Sequence, residues 1–399
     1  MQSVILKPGK EKPAQNFHHW IFSGAIKSLP EFVDGDILPV ESFQGELLGH
    51  AYFNRQSNII GRFVCFGRGD PQAEIKNNLA SAIELRKKLF EGKQTTAYRL
   101  INAEGDNLPG LVVDKYSDVL VVQIATLGME KLKPEIFTWL KENLQPKEIY
   151  ERKDVPSRKE EGLNESKLTP SSSPPSLKGG GEREQGGVNF LENDLKFTAD
   201  IQGGQKTGFY LDQREMRLLA KEYAAGRKVL NCFAYTGAFN VYALAGGAMR
   251  ADAVEISAQA EKLYAQNLEA NGFSSADNRF IKEDVFDFLR SDKAKGYDFI
   301  ILDPPAFAKR RDDVVQAARG YKDINRLGIK NVMPGGFVLT SSCSYFVDEK
   351  LFRQVVFQGA AEAGRKVKIL SKHALAPDHP INIFHPEGEY LKSLLLYVE

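Results

Sequence analysis

A short apolar run ends in a glycine turn at Val229-Leu-Asn-Cys-Phe-Ala-Tyr-Thr-Gly237. The run has the length of one buried strand, and the residues after it have the pattern that opens a helix. Four further strand-like runs end in polar groups, in the order Ala253-Val-Glu-Ile-Ser257, Lys282-Glu-Asp284, Leu302-Asp-Pro-Pro305 and Ser341-Ser-Cys-Ser344. Open α/β sheets bind their ligands at such strand ends. We therefore expect one edge of a sheet to carry the functional site.

Strands and helices are predicted to alternate in the C-terminal part of the chain. The predicted strands cover residues 228–232, 251–255, 280–282, 299–302 and 336–340, and the predicted helices cover residues 212–224, 238–245, 258–271, 284–289 and 314–332. Such alternation is typical of a doubly wound, mostly parallel sheet with right-handed crossovers. The predicted fold class is therefore α/β for residues 201–399.

The N-terminal half has a different pattern. Residues 1–70 contain short β-forming runs broken by turn residues, which predict a small β-barrel or curled sheet. Residues 71–200 are predicted to form a small central α+β domain that begins with a helix over residues 71–90. Within it, residues 157–187 are rich in Ser, Pro and Gly and poor in large apolar groups, so we predict a disordered insertion without a catalytic role.

The bulk composition excludes several classes of protein. Lys plus Arg number 53 against 52 for Asp plus Glu, so any nucleic-acid affinity must come from local patches. No segment approaches the roughly 20 apolar residues that span a bilayer, and no signal peptide is apparent. The three cysteines, Cys65, Cys232 and Cys343, are too few and too far apart for a disulfide framework or a CxxC metal site. We expect a cytoplasmic protein without a metal or a membrane partner.

The first three strand ends predict a nucleoside cofactor. Gly237 is placed where a backbone can approach a ligand, and Glu255 follows it at close to the roughly 20-residue spacing of an acid that binds ribose hydroxyls. Asp284 could meet an adenine amino group, or it could simply cap the helix that follows. Because no second glycine or P-loop supplies a phosphate cradle, S-adenosylmethionine is favoured over NAD or ATP, and an oxidoreductase remains a remote alternative.

The last two strand ends predict the reaction. Pro304 and Pro305 fix the backbone after Asp303 and hold its carboxylate at the rim of the sheet. Carbon 5 of a pyrimidine is too weak a nucleophile to take a methyl group unaided, and a thiolate that adds at carbon 6 makes it reactive. Cys343 ends the next strand in a polar setting, so we predict that it is this nucleophile. Cys232 and Cys65 are predicted to be packing residues.

The combination of motifs resembles one family closely. The chain is similar to the S-adenosylmethionine-dependent 23S ribosomal RNA methyltransferases that form 5-methylcytosine, the large subunit methyltransferase I family. The similarity extends over nearly the whole chain. The matching segments are His19-Trp-Ile-Phe-Ser-Gly-Ala25, Glu104-Gly-Asp-Asn-Leu-Pro-Gly110, Gly203-Gly-Gln-Lys-Thr-Gly-Phe-Tyr-Leu-Asp-Gln-Arg214, Leu302-Asp-Pro-Pro-Ala-Phe307, Arg319-Gly-Tyr-Lys-Asp-Ile-Asn325, Ser342-Cys-Ser344 and Pro386-Glu-Gly-Glu-Tyr-Leu-Lys392. The insertion at 157–187 departs from the family pattern, which is short there.

The resemblance implies an N-terminal PUA domain that binds RNA, a central α+β unit and a Rossmann-like catalytic domain. It implies that Cys343 is the nucleophile and that Asp303 helps to polarise the base, with ribosomal RNA as the partner; a homodimer is left open. The predicted cofactor-binding residues are Phe233, Tyr235, Thr236, Gly237, Glu255, Ile256, Asp284, Val285, Asp303 and Pro304. Weaker predictions for contact with the RNA are Lys206, Arg214, Pro305, Phe307 and His379.

Two other functions stay open at this point. An acid-Pro-Pro turn followed by an aromatic residue also occurs in enzymes that methylate exocyclic amines, although Phe307 comes one residue later than in that pattern. The chain could therefore be a base-nitrogen methyltransferase that uses no thiol. It could also be a non-catalytic RNA-binding assembly factor that retains a methyltransferase fold.

Overall fold

The computed structural model describes residues 2–163, 169–170 and 187–399. The chain forms two compact units, each built from separate segments. The first comprises Met1–Phe190, Ala199–Leu211 and Pro377–Gly388, and the second comprises Leu191–Thr198, Asp212–Ala376 and Glu389–Glu399. The three domains expected from the sequence divide the chain differently, and their boundaries remain a prediction.

The first unit begins with a six-stranded sheet. Its strands are β1 (Val4–Leu6), β2 (Trp20–Ile21), β3 (Ile26–Ser28), β4 (Ile37–Glu41), β5 (Leu47–Phe53) and β6 (Gly61–Phe66), in the spatial order β2-β6-β5-β4-β1-β3. β1 pairs with β4 in parallel, and the other neighbours are antiparallel. Irregular register in the β1–β3, β4–β5 and β5–β6 pairs bends the strands, which fits the predicted curled sheet.

A second sheet of the same unit has five strands. They are β7 (Ala97–Asn102), β8 (Leu111–Tyr116), β9 (Val119–Ile124), β10 (Glu148–Arg152) and β11 (Thr169–Pro170), in the order β11-β10-β9-β8-β7. The helices of this unit are α1 (Lys12–Gln15), α2 (Pro71–Phe90), α3 (Leu127–Leu144) and α4 (Ser157–Glu160). Helix α2 has the predicted bounds because the Asp70 carboxylate accepts a hydrogen bond from the Ala73 N–H at 2.8 Å and Pro71 opens the first turn.

The start of the predicted insertion is ordered, contrary to the expectation from its composition. Residues 157–163 include α4, and both Arg158 and Glu161 are buried. The Arg158 guanidinium donates to the Ile124 carbonyl at 2.6 Å and to the Glu130 carboxylate at 3.0 Å. Charged residues can be buried when they are paired in this way, and composition alone does not reveal such pairing. Residues 164–168 and 171–186 of the insertion lie outside the described residues.

A two-stranded sheet, β12 (Gly187–Glu192) with β13 (Leu195–Asp200), precedes the large sheet of the second unit. The large sheet has seven strands: β14 (Lys228–Cys232), β15 (Arg250–Val254), β16 (Phe280–Ile281), β17 (Phe299–Leu302), β18 (Gly336–Ser342), β19 (Val367–His373) and β20 (Lys392–Val398). Their order is β16-β15-β14-β17-β18-β20-β19, with β14 to β18 parallel and β20 antiparallel to both of its neighbours. This is the predicted doubly wound sheet.

Six helices accompany these strands: α5 (Arg214–Tyr223), α6 (Ala238–Ala245), α7 (Ala258–Ala270), α8 (Val285–Arg290), α9 (Val314–Asn331) and α10 (Glu349–Ala363). Single 3-10 turns lie at Ser23–Ala25, Ala103–Asp106, Leu211–Gln213, Asp292–Ala294, Arg311–Asp313 and Pro386–Gly388. The predicted strands and helices are confirmed up to β18, with ends that move by one or two residues. The sequence prediction did not include α10, β19 or β20. None of the helices in the described part of the chain has the length and apolar character needed to cross a bilayer.

Both units contain charged groups that are buried in pairs. In the first unit, the Arg86 guanidinium donates to the two carboxylate oxygens of Asp106 at 2.6 and 2.8 Å. Arg86 also donates to the carbonyls of Arg99 and Asp378. Breaking a buried pair by removing one partner leaves the other charge without compensation, so this pair constrains α2 against the second sheet.

We expect Arg86→Leu to destabilise the protein by about 3–5 kcal/mol, because Asp106 would remain buried without its partner. Urea denaturation of the wild type and the variant measures the difference. Arg55→Leu is the matched control, since the Arg55–Asp34 pair lies at the surface and should change stability by less than about 1 kcal/mol. Equal losses in the two variants would contradict this assignment.

Candidate active site

The carboxyl ends of the parallel strands lie side by side at one edge of the large sheet. Cys232 at the end of β14 pairs with Val254 of β15 and with Leu302 of β17, and Leu302 pairs with Thr340 of β18. The residues that follow these strands therefore begin at the same edge of the sheet. The register thus brings four of the five predicted strand ends together, and β16 extends the row beyond β15.

The first turn of this edge has a strained backbone. Phe233 and Tyr235 adopt left-handed conformations, with φ of 60° and 47°. The main-chain N–H groups of Phe233 and Ala234 donate to the Val254 carbonyl at 3.0 and 3.2 Å. Residues other than glycine rarely adopt this conformation, and such strain concentrates at ligand sites.

Glu255 connects the first two strand ends. One carboxylate oxygen accepts a hydrogen bond from the Tyr235 N–H at 3.0 Å, and the other accepts one from the Ser257 N–H at 2.9 Å. A carboxylate oxygen has two lone pairs, so each keeps an acceptor site after these bonds. Glu255 can therefore hold the strained turn and still has acceptor sites for two ribose hydroxyls, so its contact with the cofactor stays a prediction.

The structure gives Gly237 a packing role, and its predicted approach to the cofactor stays a prediction. A Cβ atom at this position would lie 2.3 Å from Cδ2 of Tyr264, and the backbone has φ of +75°. The glycine is therefore required for close packing of α6 on α7, whereas the sequence analysis expected the close approach to be to a ligand. Asn267 of α7 adds to this contact by donating to the Thr236 carbonyl at 2.9 Å.

Asp284 caps a helix, one of the two roles considered for it, and its contact with adenine stays a prediction. Its Oδ1 atom accepts from the N–H groups of Phe286 and Asp287 at 2.9 and 3.1 Å at the start of α8. The cap uses only one of the two carboxylate oxygens, and the side chain is exposed. Val285, also predicted to bind cofactor, is buried in the hydrophobic core, whereas the neighbouring prediction Ile256 is exposed.

Asp303 and Cys343 lie on adjacent strand ends. The Cys343 Sγ atom is 3.8 Å from the Pro304 carbonyl oxygen, and the cysteine is only partly buried. Asp303 Oδ1 accepts a hydrogen bond from the Gln213 side-chain amide at 2.7 Å. The structure therefore brings the predicted thiol, the predicted carboxylate and the rigid proline turn together at the edge of the sheet.

The two residues that flank Cys343 are polar and buried. Ser342 and Ser344 are fully buried, and the Ser344 hydroxyl lies 2.9 Å from the Tyr321 hydroxyl of α9. The main-chain N–H of Ala308 donates to the same Ser344 hydroxyl at 3.1 Å, and Lys392 donates to the Ser344 carbonyl at 2.7 Å. Three groups from other segments therefore hold Ser344, the residue after Cys343, in place.

The sequence analysis missed three residues of this arrangement. Gln213, Tyr321 and Lys392 all lie in segments that carried the family resemblance, but none was assigned a role. Their polar groups bind a carboxylate, a hydroxyl and a main-chain carbonyl that are distant in sequence. In the sequence, the only signal for these three residues was their position in the segments that resemble the family.

The predicted RNA-contact residues are divided between the two compact units. Arg214 is buried and pairs with the Glu192 carboxylate, which also pairs with Arg217, so its guanidinium is engaged within the protein. His379 is buried against the carboxylate of Asp378, which gives it no exposed face for a base. Phe307 packs on Tyr321 with ring centres 4.6 Å apart.

Pro305 is exposed beside Asp303, and Lys206 lies over the ring of Tyr210 at 4.5 Å. These two keep surfaces that RNA could contact. They belong to different compact units, Pro305 to the second and Lys206 to the first.

A histidine cluster in the first unit has the composition of a metal site. His18, His385 and Glu387 have ligand atoms within 4.8 Å of one another. However, the Trp20 N–H donates to His18 Nδ1 at 3.2 Å, so neutral His18 carries its proton on Nε2, 3.2 Å from the Glu387 carboxylate. A protonated nitrogen has no lone pair for a metal, and the cluster is a hydrogen-bonded contact.

Comparison with known proteins defines the class. Residues 163–378 match the family of S-adenosylmethionine-dependent methyltransferases, and residues 4–66 match the PUA-like domain. A structure classed as a SAM-dependent methyltransferase from Streptococcus mutans covers 100% of both chains with a TM-score of 0.82 at 24% identity. The structure of SMU.776 in complex with SAH also covers 100% of both chains, with a TM-score of 0.85 at 24% identity. The protein is therefore an S-adenosylmethionine-dependent methyltransferase with an N-terminal PUA-like domain.

Relatives with higher identity define the family. Ribosomal RNA large subunit methyltransferase I of Alteromonas mediterranea is 39% identical over 99% of this chain and 98% of its own length. The protein of the same name from Aeromonas salmonicida is 40% identical over 98% of both. The chain belongs to the ribosomal RNA large subunit methyltransferase I family. The predicted family, fold class and cofactor are confirmed.

The residues at the sheet edge fit the cofactor. Glu255 offers acceptors for ribose hydroxyls, and the polar atoms near the first turn include a Thr236 hydroxyl that is buried without a hydrogen-bond partner among the described residues. Such an atom is costly unless a ligand satisfies it. When bound, S-adenosylmethionine supplies an electrophilic methyl group.

We expect Glu255→Gln to weaken S-adenosylmethionine binding by about tenfold or more. An amide NH2 would then face the N–H of Tyr235 or Ser257, and the strained turn would lose a hydrogen bond. Isothermal titration with the cofactor measures the effect. Glu261→Gln, in the exposed first turn of α7, is the control and should bind like the wild type. An unchanged affinity in Glu255→Gln would argue against cofactor binding at this edge.

Proposed function

We propose that this protein methylates carbon 5 of a cytosine in 23S ribosomal RNA through a transient bond between Cys343 and the base. One observation carries the proposal. A partly exposed thiol follows β18 and lies 3.8 Å from the Pro304 carbonyl, and Asp303 follows the adjacent strand β17. The names of the curated relatives support ribosomal RNA of the large subunit as the substrate.

The chemistry requires a nucleophile at this position. The Cys343 thiolate adds to carbon 6 of the cytosine, which pushes electron density onto carbon 5. Carbon 5 takes the methyl group, a base removes the carbon 5 proton, and the electron pair of that C–H bond expels the thiolate. The carbon–sulfur bond formed in the first step is thereby broken, and the cysteine is regenerated.

Asp303 is placed to assist the addition. Its carboxylate can accept a hydrogen bond from the edge of the base, and this bond strengthens as the ring nitrogen takes up a proton from solvent during addition. The Gln213 amide holds Oδ1, which fixes the direction of the other oxygen. The base must be unstacked to reach this edge, which is easiest in a loop or single strand.

The position of Phe307 argues against the nitrogen-methylating alternative. An enzyme of that kind needs an aromatic ring that is free to stack on the target base beside its acid-Pro-Pro turn. Phe307 instead packs against Tyr321 and Phe286, with ring centres 4.6 and 6.2 Å away.

We expect wild-type protein to form a stable adduct with ribosomal RNA that contains 5-fluorocytosine. Carbon 5 then carries fluorine in place of the proton that a base must remove, so the thiolate cannot be expelled. Cys343→Ala should form no adduct and should lose at least about a thousandfold in turnover, because addition at carbon 6 is lost. Denaturing electrophoresis of the protein–RNA complex reads out the adduct.

Cys65→Ala is the matched control, because Cys65 is buried in the other unit and should leave adduct formation intact. Turnover without any trapped adduct would favour a base-nitrogen methyltransferase. RNA binding without cofactor binding in a calorimetric titration would favour a non-catalytic assembly factor.

A cellular measurement tests the substrate. Sequencing of 5-methylcytosine in RNA from cells with and without this protein should reveal the loss of a site in 23S ribosomal RNA. Reintroducing the wild type should restore the mark, and Cys343→Ala should not. Loss of a mark from another class of RNA would refute the proposed substrate.

A further inference from the structure

Lys392 occupies an unusual position for a lysine. It is the first residue of β20 and pairs with Ser342, the residue before Cys343. Its side chain runs inward, so that only 7% of the residue is exposed, and its Nζ atom donates to the carbonyl of Ser344 at 2.7 Å. The main chain of Lys392 therefore lies opposite the residue before the cysteine, and its ammonium group contacts the residue after it.

The buried ammonium lacks a close acidic partner. Within the described ranges, no carboxylate forms an ion pair with Lys392 within the 4.0 Å that defines such pairs elsewhere in this chain. Burial lowers the pKa of Lys392 to about 8, and the charges of Cys343, Glu389 and Asp348 oppose this shift, with Cys343 contributing most. Lys392 is therefore mainly protonated at neutral pH. A buried cation is unfavourable unless an anion compensates it.

We propose that Lys392 is a positioning residue that keeps Cys343 as a thiolate, with its ammonium group as the counter-ion of the sulfur. This inference rests on the proposed function, since a thiolate is needed there for addition to the base. The thiol proton goes to solvent and Lys392 stays protonated. The sulfur keeps the electron pair until it bonds to carbon 6 and recovers it on elimination.

The other ionisable groups near Cys343 or near Lys392 do not supply this positive charge. Tyr321 of α9 is neutral, because burial raises the pKa of its phenol. Asp303 at the end of β17, Asp348 at the start of α10 and Glu389 before β20 are acids, which disfavour a second negative charge nearby. Among these groups, the Lys392 ammonium is the one that carries a positive charge.

The test measures the reactivity of the thiol without RNA or cofactor. The full-length protein is alkylated with iodoacetamide at a series of pH values, and the midpoint of the rate reports the thiolate. Cys65 and Cys232 are buried, and a Cys343→Ala sample measures their contribution. The wild-type midpoint should lie below the value of about 8.5 for an ordinary thiol.

Lys392→Met should move this midpoint up by about one pH unit, which is a tenfold loss of alkylation rate below both midpoints. Lys392→Arg should restore most of the shift, because it keeps the charge. Lys372→Met is the matched control. It removes the same charge from neighbouring β19, where Lys372 is exposed and paired with Glu349, and should leave the midpoint unchanged.

A folded Lys392→Met protein with an unchanged midpoint would overturn the inference. If that variant does not fold, the wild type alone decides, since a midpoint at or above 8.5 also overturns it. The outcome is separable from that of the proposed function. If Lys392→Met shifts the midpoint but fluorinated RNA is not trapped, the lysine acts on the sulfur and the covalent mechanism is rejected.

Discussion

Parallel pairing of β17 with β18 is the constraint on which the site depends. Leu302 lies opposite Thr340, so the chain leaves β17 at Asp303 while β18 continues for two residues to Ser342 before Cys343. The two prolines then prevent Asp303 and its neighbours from turning back as a helix. A slip of one residue in this register would reverse the side-chain directions in β18 and point the thiol at the opposite face.

The acidic residues at the other strand ends form hydrogen bonds that stabilise the protein itself. Glu255 holds two main-chain N–H groups, and Asp284 caps α8. Each of these bonds supports a turn whose shape a cofactor would need, so structural and binding roles are not alternatives here. A substitution at either position therefore affects both local shape and affinity, and only a measurement of each separates them.

Much of this arrangement could be predicted from the sequence. Parallel strands that are buried on both faces give continuous apolar runs, and a polar residue at their ends is easy to recognise. The signal was weak for β19, whose side chains are largely exposed. β20 does contain an apolar run, Leu394-Leu-Leu-Tyr-Val398, but a buried lysine opens the strand and no polar motif follows it, so the sequence analysis did not assign it.

Individual side chains were harder to predict than strands. Arg214 and His379 follow patterns that indicate ligand contact, yet their partners Glu192 and Asp378 bury them. Arg214 and Glu192 are far apart in sequence, so their pairing could not be predicted. Asp378 is adjacent to His379, but the sequence does not show that the histidine is buried and has no exposed face for a base. Gly237 illustrates the same limit, because the ring of Tyr264 that requires it lies in the next helix.

The left-handed backbone at Phe233 and Tyr235 restricts which amino acids these positions accept. Valine, isoleucine and threonine are poorly tolerated in that conformation, whereas asparagine and glycine adopt it readily. The Phe233 ring, however, belongs to a row of aromatic side chains that continues through Phe286, with centres 6.5 Å apart, to Phe307. Replacement by a residue that suits the backbone would open a gap in this row. Two requirements therefore restrict the amino acid at position 233. The backbone favours residues that adopt a left-handed conformation, and the packing requires an aromatic ring.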